Sequence, residues 1–141
     1  MKSKDEEFQK VIDRILLRDQ RYASEAYAFV SDAVSYTAEK IHKAKPRGQR
    51  HVSGQELITG SMELALKQFG PLAGSVFSEW GIKNGPSIGN VVFTLIGEGI
   101  LRASENDKLE DFSGFDNLCE ALDAPFKTRA SKLMFKAPII E

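Results

Sequence analysis

The strongest constraint on the fold is an apolar helix pattern in residues 87–100. Apolar side chains recur there at the three- and four-residue spacing of one helix face, and a second apolar strip lies beside that face. The first face comprises Ile88, Val91, Val92, Leu95, Ile96 and Gly99, and the second comprises Phe93 and Ile100. A helix that is apolar over so much of its circumference has to be covered on more than one side. We therefore predict that this helix, capped by Ser87, lies at the centre of the core.

The same periodicity predicts four helices before the central one. Residues 8–16 carry the spacing of an amphipathic helix, and a longer helix is predicted over residues 21–41. A third helix begins at a capping box, in which Ser53 and Glu56 each satisfy a free backbone N–H. A fourth follows, with Pro71 in its first turn. The sequence therefore predicts a mainly α fold of about five principal helices.

Residues 100–112 carry a weak signal for a small β-hairpin, in which residues 100–103 pair with residues 109–112. Helices followed by such a hairpin have the order of a winged helix, so we predict a winged-helix-like order over residues 53–112. The single domain is predicted to span residues 1–126.

Two further segments complete the prediction. A short helix over residues 117–122, capped by Asp116, is expected to end before Pro125. Residues 127–141 are predicted to form a basic arm, and residues 42–52 a basic loop inside the domain.

Charge and cysteine content restrict the cell compartment and the kind of partner. The 141 residues carry 19 Lys and Arg against 20 Asp and Glu, and a formal charge of −1 argues against a general polyanion binder. Apolar runs are only a few residues long, so no membrane-spanning segment is predicted. The single cysteine, Cys119, cannot form an internal disulfide, which is typical of the cytoplasm.

Several blocks of the sequence together resemble a known family. They are Arg18-Asp19-x-Arg21-Tyr22-x-x-Glu25-Ala26-Tyr27-x-Phe29-Val30, His51-Val52-Ser53-Gly54-Gln55-Glu56-Leu57, Gln68-Phe69-Gly70, Trp80-Gly81-Ile82 and Val91-Val92-Phe93-x-Leu95-Ile96. The chain is similar in these blocks to an uncharacterised conserved family found mainly in planctomycetes and verrucomicrobia. The resemblance implies a single domain. It brings no activity and no functional residues, since none are established for that family.

The sequence contains no recognisable catalytic motif. Glu39 and His42 form half of a carboxylate di-metal motif, but His51 lacks the glutamate three residues earlier that would complete it. Acidic neighbours of Cys119 disfavour a reactive thiolate. We predict neither a metal nor another cofactor, and we lean towards a protein that is not an enzyme.

Two functions remain, and they use different surfaces. The favoured prediction is a non-catalytic protein-binding module with aromatic and arginine anchors, for which the candidates are Arg21, Tyr22, Tyr27 and Trp80. The inward spacing of Tyr27 and Trp80 equally indicates core residues. A second copy of the chain is a further possible partner.

The alternative is a winged-helix-like regulator that binds nucleic acid. Its cations would come from the 42–52 loop, namely Lys43, Lys45, Arg47 and Arg50. The helix in the recognition position has no Lys or Arg over residues 87–100, and the segment in the wing position, residues 102–111, has a net charge of −2. Both features are unfavourable for contacts with phosphate.

Overall fold

The computed structural model describes residues 4–44, 51–103 and 107–136, with residues 4 and 128–136 described by their backbone alone. The α-helices in these ranges are α1 (Lys4–Arg18), α2 (Ser24–Ala44), α3 (Gly54–Phe69), α4 (Ala73–Trp80), α5 (Gly85–Gly97) and α6 (Leu118–Lys136). Two short 3-10 turns, Gly70–Leu72 and Leu109–Phe112, connect them. The prediction of a mainly helical fold is confirmed.

The predicted hairpin is wrong. Residues 100–103 and 107–112 contain no strand, and Leu109–Phe112 form a 3-10 turn instead. Phe112 is 5% exposed, and this turn packs against α5 and α3 rather than against another extended segment. Residues 104–106 of the predicted hairpin lie outside the described residues. The described part of the chain therefore has no wing.

Helix α5 is buried along its first apolar face, as its apolar pattern predicts; its place at the centre of the core stays a prediction. The side chains of Ile88, Val91 and Leu95 are fully buried, and α2, α3 and the Leu109–Phe112 turn all pack against the helix. Phe93, on the second apolar strip, is only half-buried. One side of the helix is therefore incompletely covered.

In both later helices the N-cap is an asparagine and not the predicted residue. In α5 it lies three residues before the predicted Ser87, and in α6 it directly follows the predicted Asp116. The N-cap of α5 is Asn84, whose Oδ1 accepts the backbone N–H of Ser87 at 2.9 Å. At α6, Asn117 Oδ1 accepts the N–H of Glu120 at 3.0 Å, so Asn117 takes the place predicted for Asp116. Asparagine and serine are comparable N-caps, so local propensity alone does not distinguish such positions.

The start of α3 agrees with the prediction in detail. Ser53 Oγ accepts the N–H of Glu56 and the Glu56 carboxylate accepts the N–H of Ser53, both at 3.1 Å. Pro71 lies in the 3-10 turn that precedes α4 rather than in the first turn of α4 itself. The predicted loop over residues 42–52 begins later than expected, because α2 continues to Ala44.

Helix α6 continues through Pro125 to Lys136, so the predicted end of this helix is wrong. Leu118 and Leu122 are buried, and α6 packs along α4. This packing fixes the first turns of the helix and outweighs the backbone hydrogen bond that Pro125 cannot donate. The predicted boundary between domain and arm, at residue 127, falls inside the helix.

Among the residues with a described structure, no helix is both long enough and apolar enough to cross a membrane.

Candidate functional site

A cleft opens beside Phe93, the residue of the second apolar strip that lies within α5. It has a volume of about 250 Å³ and lies between α2, α3, α5 and the segment that follows α5. Its apolar lining consists of Val34, Val52, Leu57, Val92, Phe93, Ile96, Leu101 and Phe112. Polar side chains, among them His51, Arg102 and Asp107, also line it. The cleft is therefore an apolar hollow with a polar border.

Glycines allow the Leu109–Phe112 turn to form one wall of this cleft. A Cβ atom at Gly89 would lie 2.7 Å from Cγ of Phe112, and one at Gly54 would lie 2.6 Å from the carbonyl oxygen of Asp111. A Cβ at Gly85 would collide with the carbonyl oxygen of Phe112. These approaches are closer than ordinary van der Waals contact, so the turn can pack here only because three side chains are absent.

Hydrogen bonds and a ring contact hold the same wall. Gln55 Nε2 donates to the carbonyl oxygens of Asp111 and Ser113, both at 2.9 Å. The Phe112 ring meets the Phe93 ring edge to face, with centroids 6.1 Å apart. Since Gln55 lies in the first turn of α3 and Phe93 in α5, the wall is attached to both helices.

A second, more open hollow lies beside the cleft, and we call it the acidic shelf. It is lined by His51, Ser53, Gly54, Gln55, Asp107, Glu110, Asp111 and Ser113. His51 Nε2 lies 2.9 Å from Asp107 Oδ1 at the border of the two hollows. Asp111 Oδ2 accepts the backbone N–H of Lys108 at 3.0 Å. The shelf thus presents three carboxylates directly beside an apolar cleft.

The predicted protein-binding anchors do not form one exposed surface. Tyr22 and Tyr27 are buried, 7% and 0% exposed, and their rings meet edge to face with centroids 6.5 Å apart. Arg21 is exposed, but its guanidinium lies over the Tyr22 ring and pairs with Asp19 at 2.8 Å. The hydrogen bonds from Arg21 lower the pKa of the Asp19 carboxyl. These residues fix the junction of α1 and α2.

Trp80 belongs to an aromatic cluster rather than to that junction. Its half-buried ring packs against Phe29 and Phe69, with centroids 5.4 and 5.6 Å away, and against Phe77 at 6.2 Å. Most of its surface is thereby used inside the fold. This packing agrees with the inward spacing of Trp80 in the sequence.

The predicted nucleic-acid residues are only partly described. Lys43 is exposed in the last turn of α2, with its Nζ 4.0 Å from Glu39 Oε1. Lys45, Arg47 and Arg50 lie outside the described residues. Of the four residues proposed for this interface, the structure therefore places one.

Helix α5 is unsuited to the role of a recognition helix. Ser87 is buried, Asn90 Nδ2 donates to Tyr22 Oη at 2.9 Å, and Thr94 Oγ1 donates to the carbonyl oxygen of Asn90 at 2.9 Å. The polar side chains that would face a DNA groove are thus used within the protein.

The side chains that the sequence offered as a nucleophile or as metal ligands lie apart from one another. Cys119 is half-buried, its Sγ donates to the carbonyl oxygen of Ile82 at 3.7 Å, and burial together with Asp123 raises the pKa of the thiol. Glu39 and His42 are exposed on α2. Within the described ranges, no three His, Cys, Asp or Glu side chains converge as metal ligands.

Comparison of the chain with protein-family models, curated proteins and solved structures found no match. The family resemblance drawn from the sequence blocks stays a prediction.

The sequence prediction missed the cleft and its acidic shelf. The cleft combines residues from α2, α3, α5 and residues 101–112, which no single periodic pattern joins. Two signals were present: Phe93 on the second apolar strip, and the acidic residues of segment 107–111. The latter were noted only as unfavourable for DNA.

Proposed function

We propose that this protein is a non-catalytic, cytoplasmic protein-binding module whose cleft receives one apolar side chain of a partner protein. The observation that carries the proposal is the open apolar cleft beside Phe93. Buried apolar anchors in fitted pockets supply most of the binding energy of protein interfaces. The lone Cys119 supports the assignment to a reducing compartment.

The size of the cleft favours a side chain over a metabolite. Its volume is about 250 Å³. Pockets for drug-sized ligands span roughly 300–1,000 Å³, whereas an apolar cavity of about 150 Å³ holds benzene. A single ring or a branched aliphatic side chain therefore suits this space.

The neighbourhood of the cleft supports binding rather than catalysis. A histidine paired with an aspartate activates a nucleophile when a hydroxyl or thiol lies within hydrogen-bond reach. Two hydroxyls line the shelf, those of Ser53 and Ser113, and Ser53 Oγ accepts the N–H of Glu56 as the helix cap. Cys119 lines neither hollow. Among the described residues neither hydroxyl is hydrogen-bonded to His51, so the contact between base and nucleophile that defines such a site is not formed here.

Nucleic-acid binding has less support. The described groove at Tyr36, Lys40, Lys43 and Lys67 is basic, but Lys40 pairs with Glu63 and Lys43 lies near Glu39. Little net positive charge remains there for phosphate contacts. This alternative becomes an outcome of the experiment below.

The test is an NMR titration of the ¹⁵N-labelled protein with N-acetylated amino-acid amides. Phenylalanine, tryptophan and leucine amides are expected to shift the backbone amides of residues 51–54, 92–96 and 107–112 saturably, whereas the serine amide is not. Val34→Phe, which fills the cleft from α2, is expected to abolish the shifts. Leu17→Phe is the matched control, because Leu17 is 85% exposed on α1 and lines no part of the cleft.

Circular dichroism first establishes that Val34→Phe is folded, and Leu101→Phe replaces it if it is not. Shifts that are absent, or that persist in the filled variant, refute the proposal. Fluorescence anisotropy with duplex and single-stranded oligonucleotides tests the alternative. Micromolar binding with a log K against log salt slope of about −4 or steeper would favour nucleic-acid binding.

A further inference from the structure

We propose that the partner segment carries an arginine or lysine next to its apolar side chain, and that the acidic shelf binds this cation. The inference rests on the proposed function and specifies the chemistry of the partner. It follows from the position of the shelf beside the cleft and from the charges of the shelf.

The cleft and the shelf lie side by side, and together we call them the groove. They share the lining residues His51, Ser53, Gly54, Asp107 and Asp111, so a chain that inserts a side chain into the cleft lies close to the shelf. Neighbouring residues of an extended segment are about 3.3–3.6 Å apart along the chain. The residues beside the anchor are therefore the ones that meet the shelf.

The charge of the shelf selects a cation. Among its described lining residues, Asp107, Glu110 and Asp111 are carboxylates and His51 is the one basic side chain. A concave surface lined by one sign of charge concentrates ligands of the opposite sign. Arg102 lines the cleft but not the shelf, so it does not neutralise these carboxylates from within the hollow.

The carboxylates also have acceptor sites for a bound cation. An ionised carboxylate offers about four lone-pair positions. Asp111 uses one of them for the backbone N–H of Lys108, and Glu110 is exposed. An arginine suits this arrangement, because its planar guanidinium donates to two acceptors at once. The same carboxylates disfavour an anionic side chain at this position of the partner segment.

The experiment uses three acetylated, amidated pentapeptides whose sequences read the same in both directions, so the orientation of binding does not matter. Their central residues are Arg-Phe-Arg, Gln-Phe-Gln and Glu-Phe-Glu, each between terminal glycines. We expect the arginine peptide to bind about three- to fivefold more tightly than the glutamine peptide, which is the effect of exposed ion pairs. The glutamate peptide is expected to bind most weakly. Raising the salt concentration should reduce the differences in affinity among the three peptides.

A double variant tests whether the shelf causes this preference. Glu110→Gln with Asp111→Asn is expected to make the arginine and glutamine peptides bind equally, and Asn at position 111 still offers an oxygen to the N–H of Lys108. The control makes the same two changes on exposed acidic residues outside both hollows, Asp32→Asn with Glu79→Gln. The control is expected to keep the preference.

The outcomes separate this inference from the proposed function. If all three phenylalanine peptides bind equally, the charge inference is wrong and the binding module stands. If none binds, the proposed function itself is refuted. If an Arg-Gly-Arg peptide binds as tightly as Arg-Phe-Arg, the apolar anchor is wrong. Sedimentation that reveals a dimer dissociated by Val34→Phe would assign the groove to a second copy of the chain and overturn the inference.

Discussion

Replacing Gly89 with alanine tests whether the Leu109–Phe112 turn is seated as the structure shows. The new Cβ would lie 2.7 Å from Cγ and 2.8 Å from Cβ of Phe112. Carbon atoms in contact prefer about 3.5–4.0 Å, so Phe112 has to retreat by roughly 1 Å. Because its own Cβ is involved, rotation of the ring brings no relief and the backbone of the turn must shift.

The size and sign of the effect follow from two opposing terms. Overpacking of a fitted site costs about 1–3 kcal/mol. Because Cβ of Phe112 moves only with the backbone of the turn, we place this site in the upper half of that range. Alanine gains about 1 kcal/mol over glycine in a helix interior. Gly89→Ala should therefore lower the free energy of unfolding by about 1–2 kcal/mol. The turn displacement should also weaken peptide binding in the cleft.

Gly97→Ala supplies the control within the same helix. A Cβ at Gly97 would meet nothing within 4 Å, so only the helix propensity acts and the variant should be more stable by up to about 1 kcal/mol. Urea unfolding followed by circular dichroism at 222 nm measures both changes in stability, provided that the parent and the variants show the same dependence of the unfolding free energy on urea concentration. If Gly89→Ala is as stable as the parent or more stable, the turn does not pack against α5 as described.

Three further predictions concern buried or paired groups. The Thr37 hydroxyl is buried without a hydrogen-bond partner among the described residues, so Thr37→Val should raise the free energy of unfolding by about 1 kcal/mol in a urea titration. Hydrogen bonds from Arg14 and Arg18 lower the pKa of Glu98, so the ionised carboxylate stabilises the fold. The parent should therefore have a higher melting temperature than Glu98→Gln at pH 7. This difference in melting temperature should shrink as the pH falls below 4.5, the ordinary pKa of a glutamate. Burial raises the pKa of Tyr27 to about 12, so the parent should lose stability between pH 10 and 12 in a way that Tyr27→Phe does not.

Helices that are amphipathic on their own were predictable from the sequence. The apolar stripe of α1 and the reciprocal cap of Ser53 and Glu56 involve residues at most a few positions apart, and both appear in the structure. Their periodicity and cap chemistry depend only weakly on the rest of the fold.

Contacts between distant segments were not predictable in this way. The short apolar runs after α5 suggested strands, but Phe112 instead enters a space left by Gly89, more than twenty residues earlier. Tyr22 and Tyr27 illustrate the same limit at the surface: an aromatic residue suits an interface anchor and a core equally well, and only tertiary packing decides between them.

The position of the Leu109–Phe112 turn in the sequence also determines when the cleft can form during synthesis of the chain. Domains fold from their N-terminal end as the ribosome adds about 5–20 residues per second. Helices α1 to α5 emerge before the turn does, so a nascent chain can assemble most of its core while the notch at Gly54, Gly85 and Gly89 is still vacant. The groove is completed only when Phe112 fills that notch. A chain that stops before this point lacks one wall of the cleft and also α6, which packs along α4.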